Sequence, residues 1–571
     1  MAWSSSALLF TFAFIGFVAD AAIVEHTFRV GNLTLTRLCE ERVVTAVNDQ
    51  MPGPTIYVNE GDTLVVHAIN ESPTNMTIHW HGVYQRLSAW ADGPNMVTQC
   101  SVRPGNNYTY RFNVTGQEGT LWWHAHFSLL RVTVYGALII RPRGGAAALP
   151  FSPPDQEANI LLGEWWNGNP IDVLNAAYVS GSAPNVSDAF TINGQPGDLY
   201  NCSKKREYTY KLEVVSGKTY WLRIINAAVN GQFFFKVAGH NFTVVAVDAT
   251  YTKPYETDVV VIAPGQTVDA LMVANAAPGN YYMAARPYIS AGPEGPPVDL
   301  STTTGIVKYA SVNSSSAPVM PALPGLYDTP TAHRFYTNLT ALVRPGDPTV
   351  PLDVDEKMFV TIGSGIVPCS PPQFLCNKTT GSASASMNNV SFVFPPTTPF
   401  LVAHYNNLSI YKTDFPDNPP VFFDFTNPAV NTDPALRSLR NTVQDIRLKK
   451  VKYNATVEIV LQNTAIEGAE NHPIHLHSFN FFVLAQGFGN YNATAAVSSF
   501  NLVDPQVRNT IAVPAGGWAV IRFVANNPGV WFMHCHFDIH LALGLGTAFW
   551  VENGNTPDSI LPPPPPDYPA C

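Results

Sequence analysis

The chain has 571 residues, more than one hydrophobic core can organise, and suits two to four domains. Only 13% of residues are charged, while Gly (39) and Pro (48) are frequent, a balance that fits loop-rich β domains and excludes a long-helix protein. A formal net charge of −10 argues against nucleic acid as a partner.

The first element is the segment MAWSSSALLFTFAFIGFVADAA. Its apolar run from Ala7 to Ala19 is too short for a membrane span, and Ala19 and Ala21 make a small-residue cleavage pair. Residues 1–21 are therefore expected to be a secretory signal peptide. No later segment approaches the ~20 apolar residues that a span needs, so no membrane association is expected. Fifteen N-x-S/T triplets follow, those at Asn70, Asn107, Asn185 and Asn454 among them. That density behind a leader predicts a secreted glycoprotein.

Beyond the leader one pattern occurs three times. A β-like run ending in Asn appears as GDTLVVHAIN, SGKTYWLRIIN and YNATVEIVLQN, and a run beginning at Gly appears as GTLWWHAH, GNYYMAAR and GVWFMHCH. The runs are short, β-branched and aromatic, and are bounded by Gly, Pro and Asn, as antiparallel strands are. Three repeats of this size predict three consecutive β-sandwich domains, near 22–145, 155–312 and 330–571. The linkers PRGGAAALPFSPPD and SVNSSSAPVMPALPGLYD separate them. Aligning Gly119, Gly279 and Gly529 sets His124 and His534 against Ala284, so the middle copy keeps the strand and loses the histidines.

Four His-x-His pairs stand out where chance placement of 15 histidines gives fewer than one: His79/His81, His124/His126, His475/His477 and His534/His536. On a strand, residues i and i+2 share a face roughly 6–7 Å apart, so both imidazoles can reach neighbouring metal ions. Two pairs lie in the first repeat and two in the third, and eight imidazoles converge if those repeats face each other. Imidazole-rich sites suit Zn, Cu, Fe or Ni. Cys535, between His534 and His536, must point to the opposite face and so marks a second site, with His472 upstream and His540 five residues on. One Cys, two His and a weak or absent axial group describe a trigonal blue-copper site. The arrangement joins a one-electron collector, through the chain on both sides of Cys535, to a multinuclear cluster able to reduce dioxygen.

HWHG (79–82), WWHAH (122–126), HPIHLH (472–477) and HCHFDIHLALGL (534–545) closely resemble the four copper-binding motifs of multicopper oxidases, in order and at the expected ends of the chain. AWADGPNMVTQC (89–100) and the proline-rich end with a terminal Cys are similar to plant laccases. The resemblance implies three cupredoxin-like Greek-key domains and four copper ions, one type 1, one type 2 and two type 3. It implies His472, Cys535 and His540 as type 1 ligands with Leu545 axial, and His79 and His475 as type 2 ligands. His81, His124, His126, His477, His534 and His536 then fall to the type 3 pair. It places His540 at the substrate-facing edge and Asp92 beside the cluster in proton delivery, with Asp538 a weaker candidate of that kind. Ser478 stands where many relatives have Gly, and is expected to alter backbone freedom or add a hydrogen bond near the cluster.

Seven cysteines leave one unpaired in an oxidising compartment, and Cys535 is the one assigned to metal. Cys369 and Cys376 are near enough in sequence to pair, and the resemblance implies Cys100 with Cys571 and Cys39 with Cys202. His26, His67, His240, His333 and His404 lie outside the motifs and read as ordinary surface or core histidines. The implied activity is laccase: oxidation of phenols, such as monolignols, lignin or flavonoid precursors, coupled to reduction of dioxygen to water. The implied enzyme is an extracellular monomer of the apoplast or cell wall. Ascorbate oxidase is a competing reading, and would carry Met where this chain has Leu545. A ferroxidase would want a carboxylate cluster at the type 1 edge, and a copper-free structural relative would show gaps in a ligand set that is intact here.

Overall fold

The computed structural model describes residues 21–200, 202, 208–293, 295, 297–311 and 316–571. The expected signal peptide, apart from Ala21, lies outside the described residues, as do the triplet residues Asn201 and Asn313.

The strands form three pairs of sheets. The first pair is two four-stranded sheets. One runs in the order Glu40–Val47, Ile23–Arg37, Thr63–Asn70, Asn107–Asn113. The other runs Ile56–Asn59, Tyr135–Arg141, Gly119–Ala125, Ile78–His81. Ile23–Arg37 pairs antiparallel with Glu40–Val47 but parallel with Thr63–Asn70, so the chain crosses over between strands and does not simply meander. A six- and a five-stranded sheet follow over residues 156–309, then an eight- and a five-stranded sheet over 356–551. Each pair closes over its own apolar cluster, centred on residues such as Trp80 and Trp123, Phe234 and Val261, and Trp531 and Phe549. Burial of each such aliphatic or Phe side chain contributes about 1.5–3 kcal/mol.

Two burial patterns separate scaffold strands from interface strands. Asn107–Asn113 alternates, with Tyr108, Tyr110 and Phe112 turned inward and solvent on the other face. Gly119–Ala125 and Gly529–Cys535 are buried at every position. In the first of these Leu121, Trp123 and Ala125 fill the sandwich, whereas Trp122 faces out to a cluster shared with Leu161, Trp165 and Ile225 of the middle sandwich. His124 shares the Trp122 face, so the histidines look outward into a junction that other parts of the chain cover.

Polar contacts fix that junction. Trp122 donates to the Gly265 carbonyl at 3.3 Å, Thr120 donates to Asp269 at 2.6 Å, and Gln266 donates to the Thr510 carbonyl at 3.0 Å. The three disulfides are Cys39–Cys202, Cys100–Cys571 and Cys369–Cys376, as expected, and Cys535 is a buried free thiol. Cys100–Cys571 ties the chain end to the first sandwich, where Tyr568 also donates to the Thr98 carbonyl at 2.6 Å. The helix Thr329–Asn338, on the far side of the second Pro-rich linker, packs Ala332, Phe335 and Tyr336 back onto the middle core. Asp328 caps it by accepting from the Thr331 N–H at 3.1 Å.

Candidate metal centre

The antiparallel register sets ligand-type residues directly opposite one another. His79 pairs with His124, and His475 with His534, while Ile474 pairs with Cys535. Because side chains alternate, His534 and His536 leave one face of their strand and Cys535 the other. The four His-x-His pairs converge in one buried cluster: His477 Nε2 lies 3.1 Å from His534 Nε2, and His536 Nε2 lies 3.1 Å from His81 Nδ1. The His79 ring is 4.0 Å from that of His477, and the His81 ring stacks on His475 at 3.8 Å.

Main-chain carbonyls set the tautomers. Nδ1–H of His79 donates to the Asp92 carbonyl at 2.7 Å, of His124 to Ala125 at 2.9 Å, of His475 to Asn509 at 2.8 Å and of His534 to Cys535 at 2.8 Å. Each ring then presents Nε2 as a bare lone pair. The Asp92 carboxylate sits 3.1 Å from His477 Nδ1 and 3.3 Å from His79 Nδ1, fully buried. Burial, reinforced by neighbouring imidazoles and for some rings by Arg131, holds His81, His124, His126, His475, His477 and His536 well below the ordinary histidine range. His534 falls to about 3, again chiefly through burial. Neutral imidazole is the ligating form, so desolvation prepares the cluster for a cation.

On the opposite face Cys535 Sγ lies 3.7 Å from His472 Nδ1 and 3.6 Å from His540 Nδ1. Leu545 is fully buried there; its carbonyl accepts from the Cys535 N–H at 3.0 Å and its N–H donates to the His540 carbonyl at 2.9 Å. The other nitrogen of His540, Nε2, meets Glu470 Oε1 at 3.0 Å. Burial works to lower the His540 pKa, but Glu470 and Cys535 outweigh it and raise it to about 10.

Three sections of the chain match family models described as multicopper oxidase, over residues 29–145, 156–311 and 414–555. The chain is 58% identical to Laccase-24 of Oryza sativa subsp. japonica, the alignment covering 100% of this chain and 99% of that protein. It is 56% identical to Laccase-7 of Arabidopsis thaliana, over 98% and 97%. It belongs to the multicopper oxidase family. Within that family it is a laccase, a copper-dependent oxidoreductase with three cupredoxin-like domains. Botrytis aclada laccase superposes with a TM-score of 0.70 at 27% identity, over 95% of this chain and 89% of that one. Fet3p, a multicopper oxidase that functions in iron import, shares the fold, with a TM-score of 0.69 at 22% identity.

The laccase's donor set fits copper. His79 Nε2, His124 Nε2 and His475 Nε2 are buried without a hydrogen-bond partner. An orphaned buried polar atom costs about 1–3 kcal/mol, so three pointing into one cluster suit a cation. Four groups have ligand atoms within 4.8 Å of one another: His79/His81/His124, His79/His475/His477, His126/His477/His534 and His472/Cys535/His540. A thiol with two imidazoles is the soft set copper prefers. Of the ten ligand histidines only His536 falls outside these groups, its Nε2 3.1 Å from His81 Nδ1 and its Nδ1 2.7 Å from Arg131 Nη1. The five histidines outside the motifs stay outside as well, and His240, for instance, lies between the Ala238 carbonyl and the Tyr309 hydroxyl.

Several neighbours of the site carry no motif. A cavity of about 720 Å³ opens on His540, lined by Trp166, Tyr288, Ile289, Phe537 and the carboxylates Glu164 and Glu470. Glu470 stands two residues before His472, a spacing that could have flagged it; Glu164 comes from the middle sandwich and carries no such signal. Burial pushes the Glu164 carboxyl up to about 7, although the Asn230 N–H donates to it at 2.7 Å. Arg131 is buried against His536 and 3.3 Å from Asp538. Ser478 bonds to residues outside the histidine groups. Its φ is +70°, where Gly costs least, and its hydroxyl donates to the Tyr84 carbonyl at 2.6 Å while accepting from Asn527 Nδ2 at 2.7 Å.

Proposed function

We propose that this laccase oxidises phenols one electron at a time at the Cys535 face and reduces dioxygen at the histidine cluster behind it. The observation that carries the reading is the aromatic-lined cavity ending on His540, one residue of the Cys535 group. His472, Cys535 and His540 would hold a type 1 copper, with the apolar side chain of Leu545 beside it. His79 and His475 would hold a type 2 copper, and His81, His124, His126, His477, His534 and His536 a type 3 pair. Bound copper supplies one-electron redox chemistry at the first site and multi-electron chemistry at the second. The protein holds the reacting groups around it. Glu470 orients His540 through Nε2. Trp166, Tyr288 and Phe537 supply faces on which an aromatic ring can stack. Asp92, against His79 and His477, is placed to hand a proton to the cluster.

The division into domains near 22–145, 155–312 and 330–571 is part of this reading, supported by three separate apolar cores. So are secretion to the apoplast, supported by the leader and the triplets, and a monomeric state. Among the described residues no helix is long and apolar enough to cross a membrane. Glu164, Glu470 and Asp299 on the cavity wall give a ferroxidase reading a foothold, because carboxylates attract ferrous iron. Oxygen uptake with a panel of phenols, ascorbate and ferrous iron decides between them. Phenols should give the highest kcat/KM, and a preference for iron would overturn the phenol reading.

Two further results are expected. Above its titration Glu164 accepts a hydrogen bond from a phenol O–H; below it, the carboxyl is protonated and competes as a donor. The kcat/KM for phenols should rise with pH through about 7, and Glu164→Gln should flatten that limb while hexacyanoferrate oxidation keeps its profile. Separately, Leu545 is apolar and offers no lone pair, which favours the reduced metal. Leu545→Met should lower the type 1 potential, and because about 1.4 kcal/mol is a tenfold change in equilibrium, electron-poor phenols should slow most. A redox titration of the blue band checks this; an unchanged or raised potential removes Leu545 from the axial role.

A further inference from the structure

The fifteen N-x-S/T triplets are chemically alike in sequence but not in the fold. Asn70 is fully buried, and its Nδ2 donates to the carbonyls of Thr74 and Val102, both at 2.8 Å. In the fold its amide nitrogen serves both carbonyls and leaves a sugar no room, so a chain that carried one could not close into this fold. Asn107 and Asn454 are exposed, and neither lines the His540 cavity. Asn185 differs from all of these. It is exposed, yet it lies on the wall of that cavity together with Val186 and Ser187.

The triplet at Asn185 is anchored from inside. The Asn185 carbonyl accepts from the indole N–H of Trp166 at 3.0 Å, and Trp166 is itself a buried cavity residue. Ser187 turns its hydroxyl inward to Glu164 Oε1 at 3.3 Å. Between these two anchors the carboxamide of Asn185 has no hydrogen-bond partner among the described residues and faces solvent. Ser187 is thereby held toward the cavity, while the exposed Asn185 stands at its lip. Apolar surface stays open at the same mouth, where Val186 is 42% and Val298 39% exposed, a surface that the apolar faces of pyranose rings can cover.

We propose that Asn185 carries an N-linked glycan that acts as a size filter at the mouth of the His540 cavity, passing monomeric phenols and hindering extended phenolic chains. The proposal rests on the secretory reading above. In the modification Nδ2 of Asn185 loses a hydrogen and bonds to the anomeric carbon of a lipid-pyrophosphate-linked oligosaccharide. The pyrophosphate oxygen leaves with the lipid and the proton goes to solvent. Transfer to the unfolded chain makes the later burial of Ser187 no obstacle. A bulky hydrophilic group fixed at a rigid lip narrows the approach without touching the reacting atoms.

The test uses the full chain secreted from plant cells, mapped by glycopeptide mass spectrometry. Asn185 should be occupied and Asn70 bare. In the Asn185→Gln variant the ratio of kcat/KM for an aryl-ether-linked phenolic dimer to that for 2,6-dimethoxyphenol should rise about fivefold. It should stay at the wild-type value in Asn454→Gln, which removes a sugar away from the cavity. Trimming the wild-type glycans with an endoglycosidase should move the ratio in the same direction, which separates the sugar's effect from that of the side chain. A bare Asn185 beside an occupied Asn107 overturns the proposal and leaves secretion standing. Bare triplets throughout overturn both, and an occupied Asn185 whose removal leaves the ratio unchanged overturns the filter.

Discussion

Cys535→Ser should abolish the intense blue absorption and leave copper in the histidine cluster. The blue band needs copper–thiolate bonding, and Cys535 is the free thiol of the described residues, 3.6–3.7 Å from two imidazole nitrogens. Of the eight cluster imidazoles, His534 and His536 leave the other face of that strand and six come from other segments. The main-chain anchors of His79, His124, His475 and His534, at Asp92, Ala125, Asn509 and Cys535, use backbone carbonyls that the substitution does not alter. Oxidation of phenols should fall by more than the roughly 10–100-fold typical of losing an outer-shell partner. His81→Ala should do the reverse, since His81 packs against His475 and His536 within the cluster and touches nothing of the Cys535 group. Its blue colour should persist, and reduced protein should no longer be reoxidised by dioxygen. Metal analysis with visible spectra of both variants checks the pair; equal loss of colour in the two would refute separate sites.

Much of this site is legible in the chain because strand geometry is periodic. A His-x-His pair states that two imidazoles share a face, and a Cys between two His states that a thiol takes the other. The structure brings those residues together as the spacing requires, His79 opposite His124 and His475 opposite His534. What the spacing could not state is which groups arrive from other sandwiches. Glu164 reaches the His540 cavity from the strand Gln156–Trp165, and its raised pKa comes from burial that only the assembled junction creates. The helix Thr329–Asn338 follows a Pro-rich linker and so reads as part of the third repeat, but its apolar face finds the middle core. Asn70 carries the same triplet as its exposed counterparts, and only its two carbonyl partners set it apart.

Arg131 is the clearest case of a group hidden from sequence reasoning, and its removal should have the second large effect. It sits five residues past His126 in a short turn, with the unremarkable neighbours Leu130 and Val132. In the fold it is 1% exposed and joins all three sandwiches. Its Nη2 donates to the carbonyls of Ala228 and Val229, each at 3.2 Å, and of His536 at 3.0 Å, while Nη1 lies 2.7 Å from His536 Nδ1. Its Nε approaches Asp538 at 3.3 Å. A planar guanidinium can serve these partners at once; an ammonium is a single point charge and cannot. Arg131→Met should therefore strand a buried carboxylate and three carbonyls. Breaking a buried ion pair from one side costs about 3–5 kcal/mol, so thermal unfolding should begin well below the wild-type temperature. Arg131→Lys should recover part of the loss through charge but not the fork of carbonyl contacts. Because the guanidinium braces the chain segment between Cys535 and His540, the blue band of correctly folded Arg131→Lys protein should shift in wavelength or potential. Wild-type unfolding together with a wild-type band in Arg131→Met would show that the partners re-pair without it, and that the junction does not depend on this residue.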